Sequence, residues 1–422
     1  TLYLASQAHG RVARITPQGA LLAVPDADHP AQPGYGSDGT VRLHAPRGMT
    51  LAGDGTLYLS DAATRRIYQV APASSMAASV EPPLALPIPG ARMRWPVAPQ
   101  DQAHEVVGLM GEVRGNFTGE SRHHFHSGLD VQAAIGTPVL AVLAAKVSNP
   151  AASWSYGDLA EGLALGDLNY IHMRVGRDAK DKVRDERFQL LRNAKGKPVA
   201  LRVRRGTRFA AGDVLGSVNR MAHVHLDYRP GGEAVNPLTL PFAGLRDSIA
   251  PMIERITLAD SAGQPLTAQQ GGRLLLPRSL GGVQIIVEAY DQMDGNQARR
   301  RLGLYQLGYQ LLDGQGRALA ISAGQPAARQ NTQLAAQTYD RLPRNREAVQ
   351  LAYAPSSGIT VHGAAKTRFA YALHNTLVQG QLTPGLWQIA DLAPGSYTLR
   401  IDGRDYAGNA AVGTRDLALQ IE

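Results

Sequence analysis

Short runs in which apolar and polar residues alternate recur along the chain, the period of a half-buried strand. The clearest are residues 283–290 (VQIIVEAY) and 397–401 (YTLRI). Each is followed by a turn containing Gly-Asn, within residues 291–296 and 405–409, which predicts antiparallel β-structure near the C-terminus. An LYL run occurs twice, at residues 2–4 and 57–59, and Gly53-Asp54-Gly55 signals a tight turn before the second copy. Further short β-like runs lie between these regions, so the expected fold class is mainly β.

The two LYL segments are offset by 55 residues, a period that suggests propeller blades. The stretch from Pro46-Arg47-Gly48-Met49 through Asp61 to Tyr68 resembles an NHL-type propeller repeat. Closure takes at least about four blades, so further blades are expected before Thr1. The plainer alternative is a small β-region packed on the next domain. Pro82, Pro83, Pro87, Pro89, Pro96 and Pro99 then disfavour regular helix and predict an extended linker. The expected division is a propeller fragment at 1–72, a proline-rich linker at 73–105, a β-rich domain at 106–246 and a β-sandwich region at 247–422. The Asp291 and Asp405 turns, with Asp391-Leu-Ala-Pro-Gly395, resemble bacterial immunoglobulin-like modules appended to secreted enzymes.

Composition narrows this picture. At 422 residues the chain exceeds what one core usually organises, which predicts several domains. With 44% hydrophobic and 18% charged residues it is globular rather than disordered. The longest apolar stretches, such as 138–145, fall far short of the roughly 18 to 20 residues of a membrane-spanning helix. Thr1 follows no start methionine or signal-peptide core, the expectation for a processed or trimmed N-terminus. The absence of cysteine excludes disulfides and thiolate-bound zinc, leaving nitrogen and oxygen ligands for any metal.

A net charge of +8 favours an anionic partner, and nucleic acid, an anionic membrane surface and bacterial wall polymers all qualify. Residues 174–208 carry 13 Lys or Arg against 4 Asp or Glu, which accounts for the whole excess. Phe188 is the one aromatic residue interleaved there, a poor platform for nucleic acid. Attraction to wall polymers and a solvated charged loop are the two readings of this insertion.

Candidate chemistry begins at Arg122-His-His-Phe-His126-Ser-Gly-Leu-Asp130. On a straight strand, His126 and Asp130 would stand about 13 Å apart, too far to share one metal ion. The chain must bend, and Ser127-Gly128 can supply the bend because glycine tolerates backbone angles that other residues avoid. His223-Val-His225 places two imidazoles on one face of a strand, where one can ligate a metal while the other reaches water or substrate. His172, in Leu168-Asn-Tyr-Ile-His172, could complete such a site. Single histidines in strands are commonly structural, which is the expectation for His123 and His124.

The order of these signals, H-S-G-L-D, G-T-P-V, Y-I-H, G-D-V-L-G, H-V-H-L-D and V-N-P-L, resembles the lysostaphin-type, or LytM-type, zinc endopeptidases of bacterial cell walls, over residues 106–242. The resemblance implies that His126, Asp130 and His225 ligate zinc and that His172 and His223 are catalytic. It implies a metal in a β-sheet groove and peptidoglycan peptides as substrate, outside the cytoplasm. Met221-Ala222 and Ala145 depart from the residues usual in the family and put groove shape in doubt. Three protein ligands would leave zinc an open position, the catalytic pattern. With no H-E-x-x-H helix to supply a glutamate base, His172 and His223 are the candidates to activate water and stabilise the oxyanion. The alternatives are a non-catalytic relative that binds wall or activates another hydrolase, and a scaffold or adhesion protein. The cleaved bond and the oligomeric state are not fixed by these signals.

Overall fold

The alternating segment around His223 becomes the middle of a sheet. In the computed structural model, the His223–Tyr228 strand pairs antiparallel with Leu129–Gln132 on one side and Leu168–Ile171 on the other. The structure describes residues 2–6, 11–15, 21–23, 46–51, 57–61, 66–70, 92–115, 124–149, 159–319, 332–358 and 367–422. Most of the proline-rich stretch, the Gly53-Asp54-Gly55 turn and His123 lie outside these residues.

The seven strands run in the order Arg208–Phe209, Ala145–Asn149, Gly162–Leu165, Leu168–Ile171, His223–Tyr228, Leu129–Gln132 and Val106–Gly108. A second sheet orders Pro138–Leu140, Val214–Val218 and Met173–Val175. Strand alternation separates two roles. Val224 and Leu226 are fully buried among Val131, Leu129 and Leu168. His223, His225 and Asp227 project from the opposite face. Each such buried aliphatic side chain stabilises the sheet by about 1.5–3 kcal/mol, so the strand carrying the polar face is held by its apolar one.

Residues 92–105, expected to form the end of a linker, are packed instead. Trp95 is fully buried, its indole N–H donates to the Ala243 carbonyl at 2.7 Å, and its ring lies 4.9 Å from that of Phe242. A large aromatic residue with a satisfied donor outweighs the extended bias of the flanking prolines.

The basic insertion is ordered around a hairpin of Phe188–Arg192 and Pro198–Val203. Its root is anchored: Phe188 packs 5.7 Å from Phe209, and the Arg187 guanidinium lies 4.2 Å over the Phe209 ring while bonding Asp213 at 2.6 Å. At its tip the Asn193 side chain accepts from the N–H groups of Lys195 and Lys197, closing the turn. Arg192, Lys195 and Lys197 there are exposed.

The C-terminal strands form two sheets. One contains Ala370–Ala372, Gly282–Tyr290, Met252–Ala259 and Val412–Gly413, with Trp387–Gln388 beside Gly282–Tyr290. The other contains eight strands, centred on Asp416–Ile421, Gly395–Arg404, Gln306–Leu312 and Thr332–Thr338. Their apolar faces share one core, in which Leu258, Ile285 and Val287 meet Leu307, Tyr309, Leu399 and Ile401. The alternation read at 283–290 is the alternation of burial found there. Met293 and Leu302 belong to the core of the seven-stranded sheet, whereas Val113 belongs to the C-terminal core. These two regions therefore make one compact unit.

A separate unit holds the N-terminal strands. Leu2–Ser6, Arg11–Ile15 and Leu21–Ala23 form one three-stranded antiparallel sheet, and Pro46–Leu51, Leu57–Asp61 and Arg66–Val70 another. Both LYL copies thus lie in strands, and among the described residues no closed propeller is present. The fold is mainly β, with Val349–Ala352 the one α-helix among the described residues.

Candidate metal centre

The antiparallel register sets Asp130 directly opposite His225. His126 reaches them from outside the sheet. Its N–H donates to the Glu112 carbonyl at 2.7 Å and its carbonyl accepts from Gly111 at 2.8 Å. The bend between His126 and Asp130 passes through Gly128, as expected, but for a different reason. Gly128 is outside the left-handed region, and a Cβ there would lie 2.2 Å from the Leu226 carbonyl oxygen and 2.6 Å from His225 Nε2. The glycine is needed for close approach to the neighbouring strand rather than for an unusual backbone angle.

Three side-chain atoms converge. His126 Nε2 lies 3.0 Å from Asp130 Oδ1 and 2.9 Å from His225 Nδ1, and His225 Nδ1 lies 2.9 Å from Asp130 Oδ1. All three residues are buried. The outward ring nitrogens are held by acceptors: His126 Nδ1 by the Leu109 carbonyl at 2.8 Å and His225 Nε2 by Asp227 Oδ1 at 2.7 Å. Those bonds place the imidazole protons outward, so two nitrogen lone pairs and a carboxylate oxygen face one point. This donor set fits zinc, whose ligands at about 2.0–2.2 Å would stand about 3.3 Å apart in a tetrahedral site. That is a few tenths of an ångström wider than the triangle found.

The electrostatics agree with a cation at that point. Burial opposes charge on His225, but the Asp227 and Asp130 carboxylates outweigh it and push its pKa up to about 9. Burial lowers that of His126. Asp130 is buried too, yet His126 and His223 hold its carboxyl well below the usual range.

His223 and His172 stand beside the triangle. His223 Nε2 is 3.5 Å from Asp130 Oδ1, and His223 Nδ1 is 2.8 Å from the Met221 carbonyl. The His172 ring lies 4.7 Å from that of His223 and 5.9 Å from that of His225. Rather than lying within a strand, His172 joins Leu168–Ile171 of one sheet to Met173–Val175 of the other, at φ +66°. Burial and then the neighbouring His223 and His225 push its pKa down to about 3, which keeps it neutral near pH 7. The structure thus brings together all five residues singled out from the sequence. His124 sits in a two-residue strand opposite Arg114, outside the triangle.

Supporting groups carried weaker signals. Asp227 lies two residues beyond His225, on the same strand face, and also accepts from Ser127 Oγ at 2.7 Å and Arg229 at 3.0 Å. Arg114 bonds Asp130 Oδ2 at 3.3 Å and pairs with Glu112. Glu112 Oε1 accepts from the N–H groups of Leu109 and Gly303, both at 2.9 Å. Nothing in the spacing of Glu112 and Arg114 marks them as partners of a residue 16 to 18 positions later.

No family model matches the chain, and no curated protein matches it. Among solved structures, Csd3 of Helicobacter pylori is 18% identical over 45% of this chain and 39% of its own, with a TM-score of 0.22. A putative peptidase M23 from Pseudomonas aeruginosa is 19% identical over 50% of this chain and 82% of its own, with a TM-score of 0.21. The antimicrobial peptidase lysostaphin from Staphylococcus simulans is 16% identical over 40% of this chain and 85% of its own, with a TM-score of 0.18. The chain spans about two-fifths of the length of the Csd3 structure it matches.

Proposed function

We propose that this chain is a zinc-dependent endopeptidase that hydrolyses peptide cross-links of bacterial peptidoglycan. The observation that carries the reading is the convergence of His126 Nε2, Asp130 Oδ1 and His225 Nδ1 within 3.0 Å, with the outer nitrogen of each imidazole held by an acceptor. These three atoms would hold the metal, which supplies a Lewis acid and lowers the pKa of water. His223 donates through Nδ1 to the Met221 carbonyl, leaving the Nε2 lone pair to accept a proton from water. The neutral His172 beside it is suited to donate to the oxyanion of the tetrahedral intermediate.

The finer readings belong to the same proposal. The N-terminal strands are NHL-type propeller blades and the C-terminal sheets an immunoglobulin-like module. The protein works outside the cytoplasm, and its basic hairpin draws it to anionic wall polymers. Two substitutions test the roles. His225→Ala is expected to lose zinc and peptide release together, whereas His172→Ala keeps one zinc and loses release. A His172→Ala protein that cleaves peptidoglycan at the normal rate contradicts the assignment.

A further inference from the structure

A second cluster of ligand-type side chains lies in the C-terminal half, apart from the histidines. Asp247, Asp291 and Asp405 each present a carboxylate oxygen within 4.8 Å of the others. They come from three places: the segment that follows the seven-stranded sheet, the end of the Gly282–Tyr290 strand, and the end of the Gly395–Arg404 strand. Asp291 is 1% exposed and Asp405 is 2% exposed. Among the described residues, no Lys, Arg or His forms an ion pair with any of the three. Asp405 is oriented by Asn409, whose backbone N–H and side-chain amide bond its two oxygens at 2.8 and 2.6 Å. The same amide donates to the Asp247 carbonyl at 3.0 Å.

Asp291 supplies the independent sign of a ligand. Its Oδ1 is buried and has no hydrogen-bond partner, a costly arrangement for a carboxylate. Burial and then the neighbouring Asp247 push its carboxyl up to about 9, so three anions at this point are unfavourable without a compensating charge.

We propose that Asp247, Asp291 and Asp405 bind a hard divalent cation, calcium, separate from the histidine site. Three carboxylates with no nitrogen or sulfur donor suit an oxygen-seeking ion. Carboxylate oxygens within 4.8 Å of one another are close enough for one ion with oxygen ligands at about 2.3–2.6 Å to draw all three together. Magnesium takes a tighter octahedron and usually only one or two carboxylates.

The ion would fasten a junction. Asp291 pairs with Leu302 through both backbone bonds, at 2.7 and 2.8 Å, closing the loop between them. That loop sends Asn296 to the edge strand of the seven-stranded sheet, where its side chain bonds the Val106 N–H at 3.0 Å and carbonyl at 2.7 Å. Just beyond it, the Gly303 N–H bonds Glu112. Calcium at the base of the loop therefore stabilises the contact between the two β-regions while leaving the histidine ligands untouched.

The test uses the full chain, stripped of metal, reloaded with one equivalent of zinc and titrated calorimetrically with calcium chloride or magnesium chloride. The expected result is one calcium per chain, bound more tightly than magnesium, with a rise in melting temperature. Asp291→Asn and Asp405→Asn should each retain zinc and lose both the calcium heat and the rise. Without calcium, Asp291→Asn should melt above the wild type near pH 7, because the buried carboxyl, raised to about 9, no longer has to take up a proton on folding. His225→Ala should still bind calcium. The proposal is overturned if folded wild type neither binds calcium nor gains thermal stability from it, if magnesium binds more tightly, or if Asp291→Asn binds calcium undiminished.

Discussion

Two single residues decide how the histidine site is supported. Gly128 lets the ligand loop lie against the His223–Tyr228 strand, and a methyl group there would meet the Leu226 carbonyl at 2.2 Å. Gly128→Ala is expected to cost about 1–3 kcal/mol as overpacking and to weaken zinc binding. Denaturant unfolding and zinc titration measure the two effects, and an unchanged protein would show that the approach is not required. Asp227 holds the outer nitrogen of His225. Asp227→Asn should lower zinc affinity by roughly 10–100-fold without unfolding the sheet, which competition with a metal-sensitive dye would measure. Four of the five candidates stood out in the sequence through the H-x3-D and H-x-H spacings, and His172 only through the order of the motifs around it. The role of Gly128 was half legible: its place in the bend followed from sequence, whereas the strand it crowds is a hundred residues away.

At the level of elements, the strands were readable where residue character alternates along the chain, as at Gly282–Tyr290 and His223–Tyr228. The crossing at His172 was not, because a single positive φ between two strands leaves no periodic mark. Residues 92–105 mislead for a related reason: proline spacing reports local stiffness, while the burial of Trp95 depends on Phe242 and Ala243 far along the chain. The loop carrying His126 is braced from the C-terminal sheets as well as from its own. Gly303 donates to Glu112, Glu112 pairs with Arg114 and Arg114 reaches Asp130, while the Tyr353 hydroxyl donates to the Gly111 carbonyl at 2.9 Å. Arg114→Ala leaves the buried Glu112 carboxylate without its cation, a loss of about 3–5 kcal/mol for a pair of this kind. Chemical denaturation should register it together with weaker zinc binding. A variant of wild-type stability would mean that the backbone donors alone satisfy Glu112.

For the whole molecule, the mainly β class followed from the alternation, but the union of the two larger β-regions did not. Met293 and Leu302 cross into one core and Val113 into the other, and no local pattern marks an exchange of single side chains between distant segments. The consequence is that the loop carrying His126 depends on packing supplied by the C-terminal region. The basic excess at 174–208, legible as a count, is spread along the segment, with Arg192, Lys195, Lys197 and Arg202 exposed on a hairpin whose root is pinned by Phe188 and Arg187. The contacts through Glu112, Arg114 and Gly111 are the ones that brace Asp130 and the His126 loop at the proposed metal. The most direct measurement is elemental analysis of the purified chain together with release of soluble peptides from purified peptidoglycan, with and without a chelator. One zinc is expected at the histidine site, with release that stops on chelation and returns with added zinc. A folded chain that neither retains nor regains zinc, or that releases peptides equally well in chelator, would contradict the proposed metallopeptidase.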